Sequence, residues 1–323
     1  MKKTVFYALA VLMLSTAFES CTTKSNKIKV GYLPIAECLP LYVAKEKGYF
    51  EKYGLEVELV SESGGPAVFK ELEAGAIEIG FSNVVTLVKQ NNAGKDYNSV
   101  FGATYETATN INHAIFGRKD SPISLDSNAK FGVNARNNVE ELMLLHFLKG
   151  KGMTLNKKLL THFVEVPFPQ MLSSLRDKNI DYGCVVEPSI TIAKNDTISL
   201  KYVGNHYPAT ESNKVLVATY VSKKSTINAK KKDIDSFIKA MSDATDYING
   251  KNADPRDFIK KYAKIDEKLL PKISLPEFSA KIDETELSEI IELMYSTELN
   301  FNNSFIANPE NKISATSLIF KYE

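Results

Sequence analysis

Tryptophan is absent from the 323 residues, and there are only three cysteines and four histidines. Any aromatic clamp must therefore come from Tyr or Phe. Cys21 closes an N-terminal apolar run, which leaves Cys38 and Cys184, too few for a disulfide scaffold. Those two could pair in an oxidising compartment; buried free thiols are the alternative. His113, His146, His162 and His206 lack metal-ligand spacing, and no Walker loop, Gly-x-Ser-x-Gly turn or paired catalytic motif occurs. No metal, cofactor or catalytic residue is therefore expected. His146, on a segment apolar nearly all round, reads as a packed core histidine. The formal net charge is +1, so nothing draws the chain to nucleic acid or to an anionic membrane surface. Beyond the leader, no stretch is long and apolar enough to cross a bilayer.

What is present begins with that leader. Lys2 and Lys3 precede an apolar run over residues 4–18, too short for a spanning helix and followed at once by polar sequence. Residues 1–20 thus read as a secretory signal and 21–27 as a tether. Phe18-Glu19-Ser20-Cys21 resembles a loose lipobox, so Cys21 is the expected lipidation site. The alternative is ordinary cleavage nearby with Cys21 a stray thiol. One lipid would hold the protein to a bacterial membrane without making it integral, with the folded part periplasmic.

Strand and helix then alternate. Residues 27–32, 55–60, 77–81 and 100–105 read as strands, with helices over 40–53, 67–74 and 83–91 between them. The pattern restarts with strands at 130–134, 162–166 and 181–186 and helices at 139–149 and 169–177. Such alternation predicts a parallel sheet flanked by helices. Leu72, Ile77, Glu78 and Gly80 in the first half match Leu175, Ile180, Asp181 and Gly183 in the second, all at one constant separation. This predicts an α/β protein of two Rossmann-like lobes with a ligand cleft. Lobe I comprises 28–112 plus 215–323 and lobe II 113–214. An apolar strand at 215–222 returns to lobe I. The tail carries helical stripes through Ile234 to Ile248 and Leu287 to Met294, the latter after an Asp283…Glu286 pair that resembles a capping box.

In such sheets ligands sit beyond the carboxyl ends of the strands, near helix N-termini. The loops so placed supply Glu37 and Cys38, Ser61, Ser63 and Gly64, and Ser82 and Asn83 from lobe I. Asn134, Arg136, Asn137, Asn138, Phe168 and Glu187 come from lobe II. Ser, Asn and Gly equally make turns and caps. Arg136, just before a helix, suits an oxoanion. Glu187 suits an amine or a ring N–H, or could clamp Arg136 or a hinge. The two favour opposite ligand charges. Segments 106–114 and 207–214 are the expected hinges.

The stretch from Gly31-Tyr32-Leu33 through Pro40-Leu41-Tyr42-Val43-Ala44-Lys45-Glu46-Lys47-Gly48-Tyr49-Phe50 to Val57 resembles the opening of the nitrate/sulfonate/taurine-type periplasmic binding proteins. That superfamily also includes binders of thiamine pyrimidine precursors. The 72–80 and 175–188 stretches continue the likeness. The resemblance implies a type II periplasmic-binding fold and capture of a small sulfonate, oxoanion or pyrimidine-like solute by hinge closure. It also implies docking of the monomer onto ABC permease subunits. Asn134-Ala135-Arg136-Asn137-Asn138 departs from the family's usual Gly/Ser-rich turn, which leaves the ligand open. A pyrimidine synthase shares the fold, but its Cys-rich iron motif has no counterpart here. A lipoprotein presenting ligand to a sensor is the other alternative.

Overall fold

The computed structural model describes residues 26–107, 109–121, 128–196, 198–207, 214–250 and 254–321. The leader and Cys21 lie outside these residues, as does most of the expected 207–214 hinge. The strands are β1 (Asn26–Tyr32), β2 (Leu55–Ser61), β3 (Ile79–Asn83), β4 (Tyr97–Thr107), β5 (His113–Arg118), β6 (Phe131–Val133), β7 (Phe163–Glu165), β8 (Tyr182–Val186), β9 (Leu200–Gly204), β10 (Lys214–Lys223) and β11 (Glu277–Ser279). They form two sheets, ordered β11-β4-β10-β3-β1-β2 and β7-β6-β8-β5-β9.

Parallel pairing, expected throughout, holds only in the trios β2-β1-β3 and β7-β6-β8. β10 enters antiparallel between β3 and β4, and β5 runs antiparallel to both β8 and β9. Each sheet is therefore mixed. The cause is connectivity: β5 and β10 are the first strands after each passage of the chain between sheets, so no crossover helix forces a parallel direction. β5, β9 and β11 carry no alternation that sets them apart in the sequence.

The matched residues of the two halves perform matched tasks. Glu78 and Asp181 each immediately precede a strand, β3 and β8, and accept a backbone N–H from or beside the parallel neighbour, Lys29 of β1 at 2.7 Å and Lys130 just before β6 at 2.9 Å. Ile77 and Ile180 cover glycines on the neighbouring strands: a Cβ at Gly31 would lie 2.6 Å from the Ile77 Cδ1, and one at Gly132 2.5 Å from the Ile180 Cδ1. Leu72 and Leu175 are buried on the helices that precede those strands, Gly65–Ala74 and Phe168–Arg176. The glycines at positions 80 and 183 let those helices approach their sheets closely.

Three local expectations change. The helix read over 40–53 is two helices, Leu39–Glu46 and Tyr49–Lys52, because Gly48 takes a left-handed conformation (φ 69°) between them. The Asp283…Glu286 box is half formed: Asp283 caps the Thr285 N–H at 2.8 Å, whereas Glu286 turns to the Lys214 ammonium at 2.9 Å. His146 is half-buried near the end of helix Val139–Gly150 rather than packed inside. Cys38 and Cys184 are both buried free thiols. Among the described residues no helix is long and apolar enough to cross a membrane.

Candidate ligand cleft between the two sheets

The carboxyl end of β3 and the N-terminus of helix Gly65–Ala74 face the 134–140 segment of the other sheet across a narrow gap. The cavity between them is also lined by Leu33, Ile35, Glu37, His113 and Phe168. It measures about 20 Å³, room for about one water. Wider grooves flank it. One, of about 550 Å³, is lined by Ser63, Gly64, Lys89, Arg136 and Asn137. The other, of about 410 Å³, is lined by Pro34, Phe168, Arg176, Glu187 and Tyr262.

One end of the cavity presents donors. Asn83 is the N-cap of helix Val84–Asn92. Its Oδ1 accepts from the Thr86 N–H and hydroxyl, which turns its amide nitrogen outward. Asn138 caps helix Val139–Gly150 through Oδ1 and donates its amide to the Asn134 Oδ1 at 2.7 Å, so Asn134 presents its own nitrogen. The amide orientations follow from these bonds. The Ser82 hydroxyl is buried with no hydrogen-bond partner among the described residues. These groups crowd two glycines: a Gly65 Cβ would stand 2.5 Å from the Asn83 nitrogen and 2.7 Å from the Ser82 hydroxyl, and a Gly64 Cβ 3.1 Å from the Asn134 nitrogen.

The other end is acidic. His113, at the start of β5, is enclosed by carboxylates: Glu106 at 3.2 Å, Glu140 at 3.5 Å and Glu37 at 3.7 Å. Burial alone would lower its pKa, but Glu37, Glu140 and Glu106 together lift it to about 9. Burial raises Glu37 to about 7 against the pull of His113. Burial pushes Glu140 the same way, yet His113, His206 and the Tyr207 hydroxyl hold it below the usual range. Glu37 also accepts from the Thr104 hydroxyl at 3.2 Å, and with its pKa raised to about 7 it keeps part of a proton at neutral pH.

Of the residues singled out in the sequence, Glu37, Ser82, Asn83, Asn134, Asn138 and Phe168 line the cavity. Ser63, Gly64, Arg136 and Asn137 line the adjoining groove. Ser61 ends β2 on the exposed side, and Cys38 is buried behind Glu37. Arg136 and Glu187 do not meet. Arg136 is held by Glu141, Nε to Oε2 at 2.8 Å and Nη2 to Oε1 at 3.1 Å. Glu187 accepts from the Thr191 N–H and hydroxyl and from the Ser274 N–H, and its carbonyl accepts from the Ala36 N–H at 3.0 Å. It therefore ties the second sheet to segments of the first. Sequence reading missed His113 and Glu140. They are distant in the chain and share no spacing, so no signal marked them as neighbours.

The model of the NMT1-like family matches residues 22–264. The nitrate/nitrite binding protein NrtA of Nostoc sp. strain PCC 7120 is 24% identical over 187 residues, 51% of this chain and 41% of that protein. The chain spans less than half the length of the curated relatives it matches. Among solved structures, the periplasmic aliphatic sulphonate binding protein SsuA of Escherichia coli superposes with a TM-score of 0.67 at 15% identity, over 91% of this chain and 97% of that one. The CA3427 gene product of Candida albicans, described as exhibiting the generic periplasmic binding protein structural fold, gives 0.67 at 15% identity, over 91% and 96%. The fold is that of the periplasmic binding proteins.

Proposed function

The chain belongs to the NMT1-like family, and on that premise we propose that it is the solute-capturing component of an ABC-type importer. The reading is carried by one observation: a buried cavity between two sheets with donors from both at one end and a carboxyl at the other. NrtA and SsuA are named for nitrate/nitrite and aliphatic sulphonates. Here the donor end suits the acceptor atoms of such a group, but Glu37 disfavours a second anionic end and suits an N–H. The expected solute is therefore small and two-ended, an acceptor group at Ser82, Asn83 and Asn134 and an amine or ring N–H at Glu37. An aminosulfonate or an aminopyrimidine has this pattern; nitrate does not. Arg136 and Glu187, which favoured opposite charges, are both engaged within the protein and leave this polarity to other residues.

Capture requires the sheets to part and close again, since the present cavity holds only about one water. The connections at 106–114 and 207–214 are the proposed hinges between lobe I (28–112 plus 215–323) and lobe II (113–214). Cys21 is the proposed lipid attachment point, which would hold a monomer on the periplasmic side near the permease. A melting-shift panel of nitrate, bicarbonate, taurine and aminopyrimidines tests the solute class. A ligand at one hundred times its Kd adds about 2.7 kcal/mol, so a two-ended solute should raise the melting temperature by several degrees and nitrate should not. A shift with nitrate alone would contradict the two-ended reading.

A further inference from the structure

Behind the cleft, three side chains of different chemistry converge from three elements. Glu140 is the second residue of helix Val139–Gly150, Cys184 lies in the middle of β8, and His206 follows β9. One donor atom from each lies within 4.8 Å of the others, and all three residues are buried. The sheet order β8-β5-β9 fixes two of the elements relative to each other. His206 Nε2 stands 2.8 Å from the Glu140 Oε2, so this nitrogen and this oxygen face the same small space.

We propose that Glu140, Cys184 and His206 form a binding site for a thiophilic divalent cation of the zinc type. Sulfur, imidazole and carboxylate together suit such an ion, and three protein donors leave a fourth position open. The Tyr207 hydroxyl donates to the Glu140 Oε1 at 2.9 Å, a second-sphere bond that orients the carboxylate, and the ion would take the place of the proton between Glu140 Oε2 and His206 Nε2. The thiolate is the ligand form of cysteine, so the ion would displace the Cys184 thiol proton on binding. His206 belongs to the segment that leads out of the second sheet, so the ion would fasten that segment to β8 and to the helix whose Glu140 lines the cleft. The site shares Glu140 with the cleft lining, but metal retention and solute binding are read separately, so the failure of one is distinguishable from the failure of the other.

The test uses cobalt(II) chloride as probe on the mature chain carrying Cys21→Ser and Cys38→Ser, in which Cys184 is the sole thiol. The expected result is one cobalt per chain with thiolate-to-metal charge-transfer absorption in the near ultraviolet. Adding Cys184→Ser should abolish the absorption, and adding His206→Gln should weaken binding at least tenfold while keeping it. If either added variant fails to fold, X-ray absorption on the two-substitution background decides: a sulfur scatterer at the metal supports the site, and only oxygen and nitrogen scatterers overturn it. No retained cobalt after dialysis of the folded background chain would also overturn it.

Discussion

Ser82 carries a hydroxyl into the cleft where no described residue accepts from it or donates to it. A side chain that makes no internal bond contributes little to folding, which fits the proposal that its partner is the bound solute. Ser82→Ala should leave the urea midpoint unchanged or slightly raised and weaken solute binding about tenfold, the worth of one hydrogen bond. Paired chemical denaturation and calorimetric titration check both halves. Glu187 has the opposite character, buried and bonded on every side, with its folded pKa raised by burial to about 7 from 4.5. Between these values the folded state holds a proton that the unfolded chain has lost. Its contribution is therefore full below the unfolded pKa and is lost as pH rises through 7, at a limiting slope of about 1.4 kcal/mol per pH unit. Glu187→Gln should flatten the stability profile between pH 4.5 and 7 relative to the parent, as followed by urea midpoints across that range. Equal slopes would show that the carboxyl titrates alike in both states.

At the scale of elements, the repeated Leu…Ile-acid-x-Gly pattern reports helix-to-sheet contact. A Cβ at Gly80 would lie 2.2 Å from the Val68 Cγ1, on the β-branched side chain of helix Gly65–Ala74. At Gly183 the nearest atoms belong to Met171, at 3.0 Å, on a flexible thioether, with the Ile180 Cδ1 next at 3.3 Å. Gly80→Ala should thus cost about 1–3 kcal/mol, and Gly183→Ala clearly less, by thermal denaturation of each variant. These contacts recur in both halves, which is why two lobes could be read from spacing alone. β5 and β10 show what spacing does not hold. Whether a strand after a passage between sheets runs parallel or antiparallel depends on where its partners lie, not on its own residues. The cleft divides the same way. Ser82, Asn83, Asn134 and Asn138 were legible because caps and strand ends have local chemistry. His113 and Glu140 were not, because only the fold makes neighbours of an imidazole and carboxyls scattered along the chain.

At the scale of the whole molecule, the two sheets are drawn together over a cavity smaller than any solute considered. They are held by contacts such as the Ala36 N–H to the Glu187 carbonyl and the Thr191 hydroxyl to the Lys272 carbonyl at 3.3 Å. A ligand that touches both sheets favours this arrangement only through contacts it cannot make when they part. A different hollow, of about 690 Å³, lies on the first sheet's far side between Tyr53, Phe101, Ile238 and Phe320. It touches one sheet only and would give closure no such bias. The most direct measurement is a crystal structure of the mature protein grown with the solute that gives the largest melting shift. The account predicts density bridging the sheets, an acceptor group within hydrogen-bond distance of Ser82 Oγ and the Asn83 and Asn134 amides, and an N–H facing Glu37. Solute density in the far hollow with the cleft unchanged would contradict it.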